Sequence, residues 1–440
     1  MHHDRWLVSL SLSAVASSVA GLLVPLYLVK LGGGAEALGV SAALASLVGA
    51  PGAVLAGRYA DRTGNRRGVV VAALAVGALA LVTLPLLHSV PAVVAVNAVL
   101  AFALAAISPV VTMLVVADAP ETAWSERIAR LNTFQGYGST AGFVVGTVWT
   151  VVVAAAVTGD VVQESLFALA AAFGVAAALL GARTLPREDR LDVGPRRSGR
   201  VATILSRTAR NTQDATFAYG TNRLFWASRV LSLSRLRRLR ADLPTALWVY
   251  FGAAFVFFTG FAVFWAPLPL YLQTNAGFSA GGVFALYLVN NVASTVLFGR
   301  AGVLTAERDV RFVQGSALGA RAAAFVGVAG LAVLGIDALD GLGPLAVVTA
   351  LLAVVGVTWA FIAVTGTAIV SRFAPPAARG GVLGMYAALS AVAGAIGGLL
   401  GGWIAAYRFD LAFAVAAALV VLGAAVVYGV EQLSAATPSP

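Results

Sequence analysis

The residues best placed to do chemistry stand in one short run, Gly57-Arg58-Tyr59-Ala60-Asp61-Arg62-Thr63-Gly64-Asn65-Arg66-Arg67. It holds a single carboxylate, Asp61, among four guanidinium groups that keep it ionised. Gly64 permits the positive φ of a tight turn. Such a cluster suits a charge-assisted contact that can be made and broken. Read for charge alone, the run also fits an ordinary basic loop beside a membrane. Most other chemistries are missing from the composition. The chain has no Cys and only three His: His2 and His3 in the N-terminal tail and His88 in a short loop. Thiol nucleophiles, thiolate metal sites, zinc clusters and a Ser-His-Asp relay are excluded. Neither an enzyme nor a cofactor nor a metal site is expected.

The elements that must position Asp61 are membrane helices. Of 440 residues, 60% are hydrophobic and 11% charged, where a soluble domain has about 25% charged. At ~20 residues per crossing, that apolar stock fills roughly a dozen spans. Polar breaks place spans over 6–29, 36–57, 68–87, 90–116, 131–156 and 161–182. The second set covers 244–272, 279–300, 311–335, 342–371, 381–406 and 408–430. The expected fold is an all-α integral membrane protein of twelve transmembrane helices in two six-helix bundles. The tail Met1–Arg5 runs into the first span without a small-residue cleavage site, so that span is expected to be retained.

Charge then orients the spans. With the N-terminus inside, 26 basic residues fall on the inner segments, while Lys30 and Arg408 fall outside and Arg321 lies within a span. The outer loops carry Glu36, Asp160, Glu164, Asp337, Asp340 and Asp410. This bias predicts cytoplasmic termini in a cell (plasma or inner) membrane and explains the net charge of +10 without a nucleic-acid partner. The chain divides into an N-terminal bundle 1–182, a basic cytoplasmic linker 183–243 and a C-terminal bundle 244–440. The linker holds fourteen Arg, several interleaved with Leu224, Phe225, Leu231, Leu236 and Leu239. It reads either as a surface helix on anionic lipid or as a solvated tether. The halves also repeat: Pro25-Leu26-Tyr27-Leu28 recurs as Pro269-Leu270-Tyr271-Leu272, and Gly57-Arg58 as Gly299-Arg300.

The spacing Gly-x-x-x-Asp-Arg-x-Gly-x-Arg-Arg between spans 2 and 3 resembles the loop motif of the major facilitator superfamily, in the same loop. With twelve spans, a six-plus-six division and a long central loop, the resemblance covers essentially the whole chain. Asp118 and Pro120, then Arg127 and Arg130, resemble the family's loop between spans 4 and 5, and Arg379-Gly380 its second-half counterpart. The resemblance implies that Asp61 faces the N-terminus of span 11 and that Arg62 pairs with Asp118. The gating set is then Gly57, Asp61, Arg62, Gly64, Arg66, Arg67 and Asp118, a latch on the cytoplasmic side. The second copy has Val303 where Asp would be, so only the first copy is expected to latch.

Span 5 carries Gly138, Gly142 and Gly146, and span 11 carries Gly394, Gly397, Gly398, Gly401 and Gly402. Small residues four apart let membrane helices approach closely. The rows also resemble the antiporter motif of drug/proton exchangers, departing from it at Phe143 and Thr147. No acid lies mid-span, although proton coupling normally needs an ionisable group within the membrane. Coupling through Asp61 or Asp118, a sodium ion, or uniport all remain open. Arg321 is the one charge inside a span. The family's ninth helix is peripheral, so snorkelling or pairing at a helix interface is favoured over substrate contact. Candidate cavity residues are Asn132, Gln135, Trp265, Asn290, Asn291 and Trp359, with Phe255, Phe258, Phe261 and Phe264 beside them. The resulting expectation is a monomeric secondary transporter of a small-molecule substrate, first an exporter of amphipathic organic compounds. Uptake or uniport of a nutrient, or a non-transporting receptor or scaffold, stays open.

Overall fold

In the computed structural model, residues 5–116, 124–156, 159–186, 243–335, 343–375 and 379–435 are described. They form twelve long helices. The first six are α1 (Arg5–Lys30), α2 (Ala35–Thr63), α3 (Arg66–Thr83), α4 (Val90–Val116), α5 (Trp124–Val152) and α6 (Gly159–Thr184). The second six are α7 (Thr245–Trp265), α8 (Ala280–Glu307), α9 (Val310–Leu334), α10 (Gly343–Phe373), α11 (Arg379–Tyr407) and α12 (Phe409–Ala435). All twelve are long and apolar enough to cross a bilayer. Because the number is even, the start of α1 and the end of α12 fall on one face, here the near face; the opposite face is the far face.

Helix pairing repeats between the two sets. Helix α1 packs on α5 and α6, α2 on α4, and α3 on α4 and α6. Adding six to each label gives the second set: α7 on α11 and α12, α8 on α10, and α9 on α10 and α12. Two pairs of long helices chiefly join the sets, α2 with α11 and α5 with α8, and α1 also meets the short helical segment Leu268–Thr274. The cores differ in composition. The first set is packed with Ala, Val and Leu, whereas α7 alone buries Phe257, Phe258, Phe261 and Phe264. At the far face, the Tyr27 hydroxyl donates to the Leu87 carbonyl at 2.9 Å, and Lys30 reaches Glu164 at 3.9 Å.

Several helix ends differ from those the hydropathy implies, and mostly for one reason. Apolar runs mark where lipid is, whereas helices continue into the polar layer on Ala, Arg and Glu, which favour helix. So α2 runs on to Thr63, α8 to Glu307, and α5 begins at Trp124. The seventh span departs in the other direction. Pro267 and Pro269 remove amide donors, so α7 stops at Trp265 and the chain resumes as a short helix, Leu268–Thr274. On the near face α9 is capped by Asp309, which accepts from the Arg311 amide at 2.8 Å. That hydrogen bond, with the nearby Arg311 charge, holds its carboxyl below the usual carboxylate range. The interior of the linker, 187–242, lies outside the described residues, and with it the proposed surface helix.

Candidate functional site: the near-face motif and the junction between the two helix sets

The basic motif is mostly helix. Gly57 to Thr63 form the last two turns of α2, and the turn itself is only Gly64 and Asn65. Gly64 adopts φ 74°, and its amide bonds back to Ala60, as a left-handed helix end requires. Asn65 then starts α3 by accepting from the Gly68 amide at 2.8 Å. Arg67 donates to the carbonyl of Ala182 near the C-terminal end of α6, where a helix favours a cation. One guanidinium of the motif therefore clamps α3 to α6 within its own helix set. Arg58 and Arg62 are exposed. Asp61 stands in the last turn of α2; since α2 ends and α11 begins on the near face, it shares that face with the N-terminus of α11. Asp118 and Pro120 lie outside the described residues, while Arg127 and Arg130 are exposed on the first turns of α5. Gly299 and Arg300 sit inside α8, as Gly57 and Arg58 sit inside α2, and the chain turns at Arg308 and Asp309 before α9.

The glycine rows prove to be two-sided. On α5, a Cβ at Gly142 would stand 2.6 Å from the Val15 carbonyl oxygen of α1, and one at Gly138 would meet that of Ser11. One turn further on, a Cβ at Gly146 would strike the Phe284 ring of α8, across the junction. The split on α11 is sharper. Gly397 and Gly401 abut the Thr259 and Val263 carbonyls of α7 in their own set. Gly398 and Gly402 instead face α2, where a Cβ at Gly402 would lie 2.5 Å from the Ala35 oxygen and 2.7 Å from the Gly39 Cα. A Cβ at Gly39 would in turn lie 2.6 Å from the Gly398 oxygen. The partner on α2 is a small-residue row, Ala35-Gly39-Ala43, that sequence reading passed over although its four-residue spacing was visible. The α5–α1 contact should be purely structural. Gly142→Val is expected to cost about 1–3 kcal/mol by overpacking, read as a lowered unfolding temperature of the detergent-purified protein.

The candidate cavity residues do not converge on one point. Asn132 is buried on the near half of α5 and Gln135 is half-buried one turn on. Asn290 donates to the Leu352 carbonyl of α10 at 3.0 Å, a strut within the second set. Asn291 crosses the junction, donating to Thr140 of α5 at 3.1 Å. Trp265 meets Tyr287 edge-on at 5.2 Å, and Tyr287 lies 6.5 Å from Phe143 of α5. So Trp265 and Asn291 belong to the junction, joined there by Tyr287, Phe143 and Thr140, whereas Asn290 and Trp359 serve the second set.

Arg321 does not snorkel. It is fully buried midway along α9, donating through Nε to Thr358 at 3.2 Å and through NH2 to the Val355 carbonyl, both on α10. Its guanidinium carbon stands 4.4 Å from the Phe261 ring centre and 5.5 Å from that of Trp359. It is held at a helix interface by carbonyl, hydroxyl and ring faces. Among the described residues no group of three or more His, Asp or Glu could hold a metal ion.

Comparison with known proteins identifies this architecture. A family model described as the Major Facilitator Superfamily matches residues 6–361. Among solved structures, a point mutant of the nucleoside transporter NupG aligns with a TM-score of 0.70 at 13% identity, covering 98% of this chain and 100% of its own. Unmutated NupG gives 0.63 at 14% identity, covering 98% and 100%. The human organic anion transporter MFSD10 gives 0.54 at 16% identity, covering 97% and 98%. No curated protein matches the chain in sequence.

Proposed function

The chain belongs to the major facilitator superfamily, and from that membership we propose that it moves a small organic solute by alternating access, as an exporter of amphipathic compounds. It is a multi-pass membrane transporter and not an enzyme. One observation carries the alternating-access reading: the way the two sets meet. On the far half, α2 and α11 touch backbone to backbone through Gly39, Gly398 and Gly402. Surfaces without side chains can part and close again with little to repack and no rotamers to reset. Beside them the junction is aromatic and amide-lined, with Trp265, Tyr287, Phe143 and Asn291, which suits an amphipathic organic molecule.

The near face is read as cytoplasmic, because it carries nearly all the Arg of the chain. On that reading the protein is a monomer of the cell membrane, its linker lies on anionic lipid, and the near-face motif is a latch. Asp61 would seat on the N-terminus of α11 and Arg62 on Asp118. Import or uniport is the second reading, favoured by the absence of any acid from the middle of a span, which leaves a proton no mid-membrane carrier. Thermal-shift screening of the purified protein against solute libraries, with and without a pH step, followed by flux in proteoliposomes, tests both. Export predicts that stabilising amphipathic compounds enter inside-out vesicles and that protein-free vesicles take up none specifically. Stabilising ligands that no vesicle transports would instead make the protein a receptor.

A further inference from the structure

The repeat relates the two long-helix contacts between the sets. Helix α2 corresponds to α8 and α11 to α5, so α2 with α11 and α8 with α5 are copies of one arrangement. Each is a control for the other. The first copy brings together Gly39, Ala42, Gly398 and Gly402, with no ring or amide side chain among them. The second carries Phe143 and Thr140 on α5 and Tyr287 and Asn291 on α8. Joining the sets at such a contact therefore demands neither rings nor an amide, and those groups are left to be explained by something else.

Their hydrogen bonding is half-used. Asn291 donates from Nδ2 to the Thr140 hydroxyl at 3.1 Å. Thr147 and Thr150, on the same helix, turn their hydroxyl protons back to the carbonyls of Phe143 and Gly146; Thr140 instead receives a proton from the other set. A hydroxyl that accepts still has a proton to give, and a carboxamide that donates still has an oxygen to fill. Among the described residues no donor reaches Asn291 Oδ1 and no acceptor takes the Thr140 proton. The pair also stands at the edge of the sealed contact. Toward the far face Phe284 and Thr150 are buried, whereas Asn291 and Thr140 are half-buried. Toward the near face, Thr295 one turn on and Thr133 two turns on are exposed. Phe143 and Tyr287 supply ring faces one turn to the far side, and Trp265 extends them.

An open acceptor beside an open donor is the complement of a ligand edge that carries N–H next to C=O, and the rings suit a flat molecule. We propose that Asn291 and Thr140 are a recognition site for neutral planar lactams. The ligand N–H donates to Asn291 Oδ1, the Thr140 hydroxyl donates to the ligand carbonyl, and the ring lies against Phe143 and Tyr287. The proposal names a substrate class for the junction and rests on the reading of the chain as a transporter of amphipathic compounds.

The test uses two matched probes, 2-quinolone and N-methyl-2-quinolone, both tritiated and both carrying the same sorbityl ether at C6 to stop leakage through lipid. They differ only in the lactam N–H. In a scintillation proximity assay on the purified full-length protein, wild type is expected to prefer the N–H probe by about tenfold, the effect of one acceptor left without its donor. Asn291→Leu removes the acceptor and should bring the ratio to within about twofold of unity. Asn290→Leu, next in the chain, removes only a strut to the Leu352 carbonyl and should keep the preference. Thr140→Val should weaken both probes alike, because both retain the carbonyl. If Asn291→Leu does not fold, Asn291→Ala removes the same oxygen. Equal affinities in wild type overturn the proposal, as does a preference that survives loss of the Asn291 amide, specific binding of neither probe, or wild-type affinities in Thr140→Val. Flux in proteoliposomes separates the two ideas. Selective binding with no flux of the N–H probe would refute transport and leave the lactam site standing. Equal binding and equal flux of both probes would refute the lactam site and leave transport standing.

Discussion

Gly402→Val is expected to reduce transport at least tenfold while leaving the protein folded and inserted. A Cβ at this position would lie 2.5 Å from the Ala35 oxygen and 2.7 Å from the Gly39 Cα, both backbone atoms of the other helix set. No rotamer change can relieve that overlap; α2 must move away from α11. The closed far side is thus raised in energy, by an amount typical of overpacking, about 1–3 kcal/mol. That shifts the two-state balance by roughly one to two powers of ten. The neighbouring residue supplies the control. Gly401 presses on the Val263 carbonyl of α7 within its own set, so Gly401→Val should lower thermal stability in both conformations. The chain has no Cys, so spin labels can be added without background. A pair replacing Leu86 and Leu334, exposed near the far ends of the first and second sets, should lengthen its separation in Gly402→Val. The same separation as wild type, with full flux, would show that this contact is no gate.

The asymmetry between Gly401 and Gly402 also marks how far the sequence could be read. Hydropathy located all twelve spans, because lipid demands ~20 apolar residues and little else in the chain is that long. The charge of the loops could orient them, because Arg is cheap on one side of a membrane and costly in its middle. Neither signal says which neighbour a given face meets. Gly397, Gly398, Gly401 and Gly402 are the same residue type at alternating spacings, and only the observed crossing of α11 between α7 and α2 assigns them. Arg321 shows the same limit. Its depth was legible, but its direction depends on Thr358 and on the carbonyl of Val355, which no periodicity reveals. The near-face ends were misplaced because Arg58 to Thr63 are polar and still helical, a combination that a hydropathy window reads as loop. For the latch, the motif gives residue types and the fold gives a shared face; the pairing of Arg62 with Asp118 stays a proposal, since Asp118 lies outside the described residues.

Asp61→Asn is the complementary prediction: it should also lower flux, but by loosening the near face instead of the far one. The residue stands in the final turn of α2, at the negative end of that helix dipole, where a carboxylate is disfavoured by about 0.3–1 kcal/mol. For α2 alone, neutralisation should therefore be neutral or slightly stabilising, and Asn is isosteric. The N-terminus of α11, on the same face, favours a carboxylate for the same electrostatic reason. A latch between the two loses its charge in the variant while the helix that carries it loses nothing. Flux in proteoliposomes is expected to fall about tenfold, the equivalent of one charge-assisted contact of ~1.5 kcal/mol. Insertion and unfolding temperature should stay at wild-type values. A label pair replacing Arg130 and Arg300, exposed on α5 and α8 toward the near face, should lengthen in Asp61→Asn and not in Gly402→Val. The Leu86/Leu334 pair should report the reverse. Wild-type flux with an unchanged near-face separation would refute the latch and leave Asp61 as one charge of a basic loop. A separation that grows while flux survives would mean that closing the near face does not limit transport.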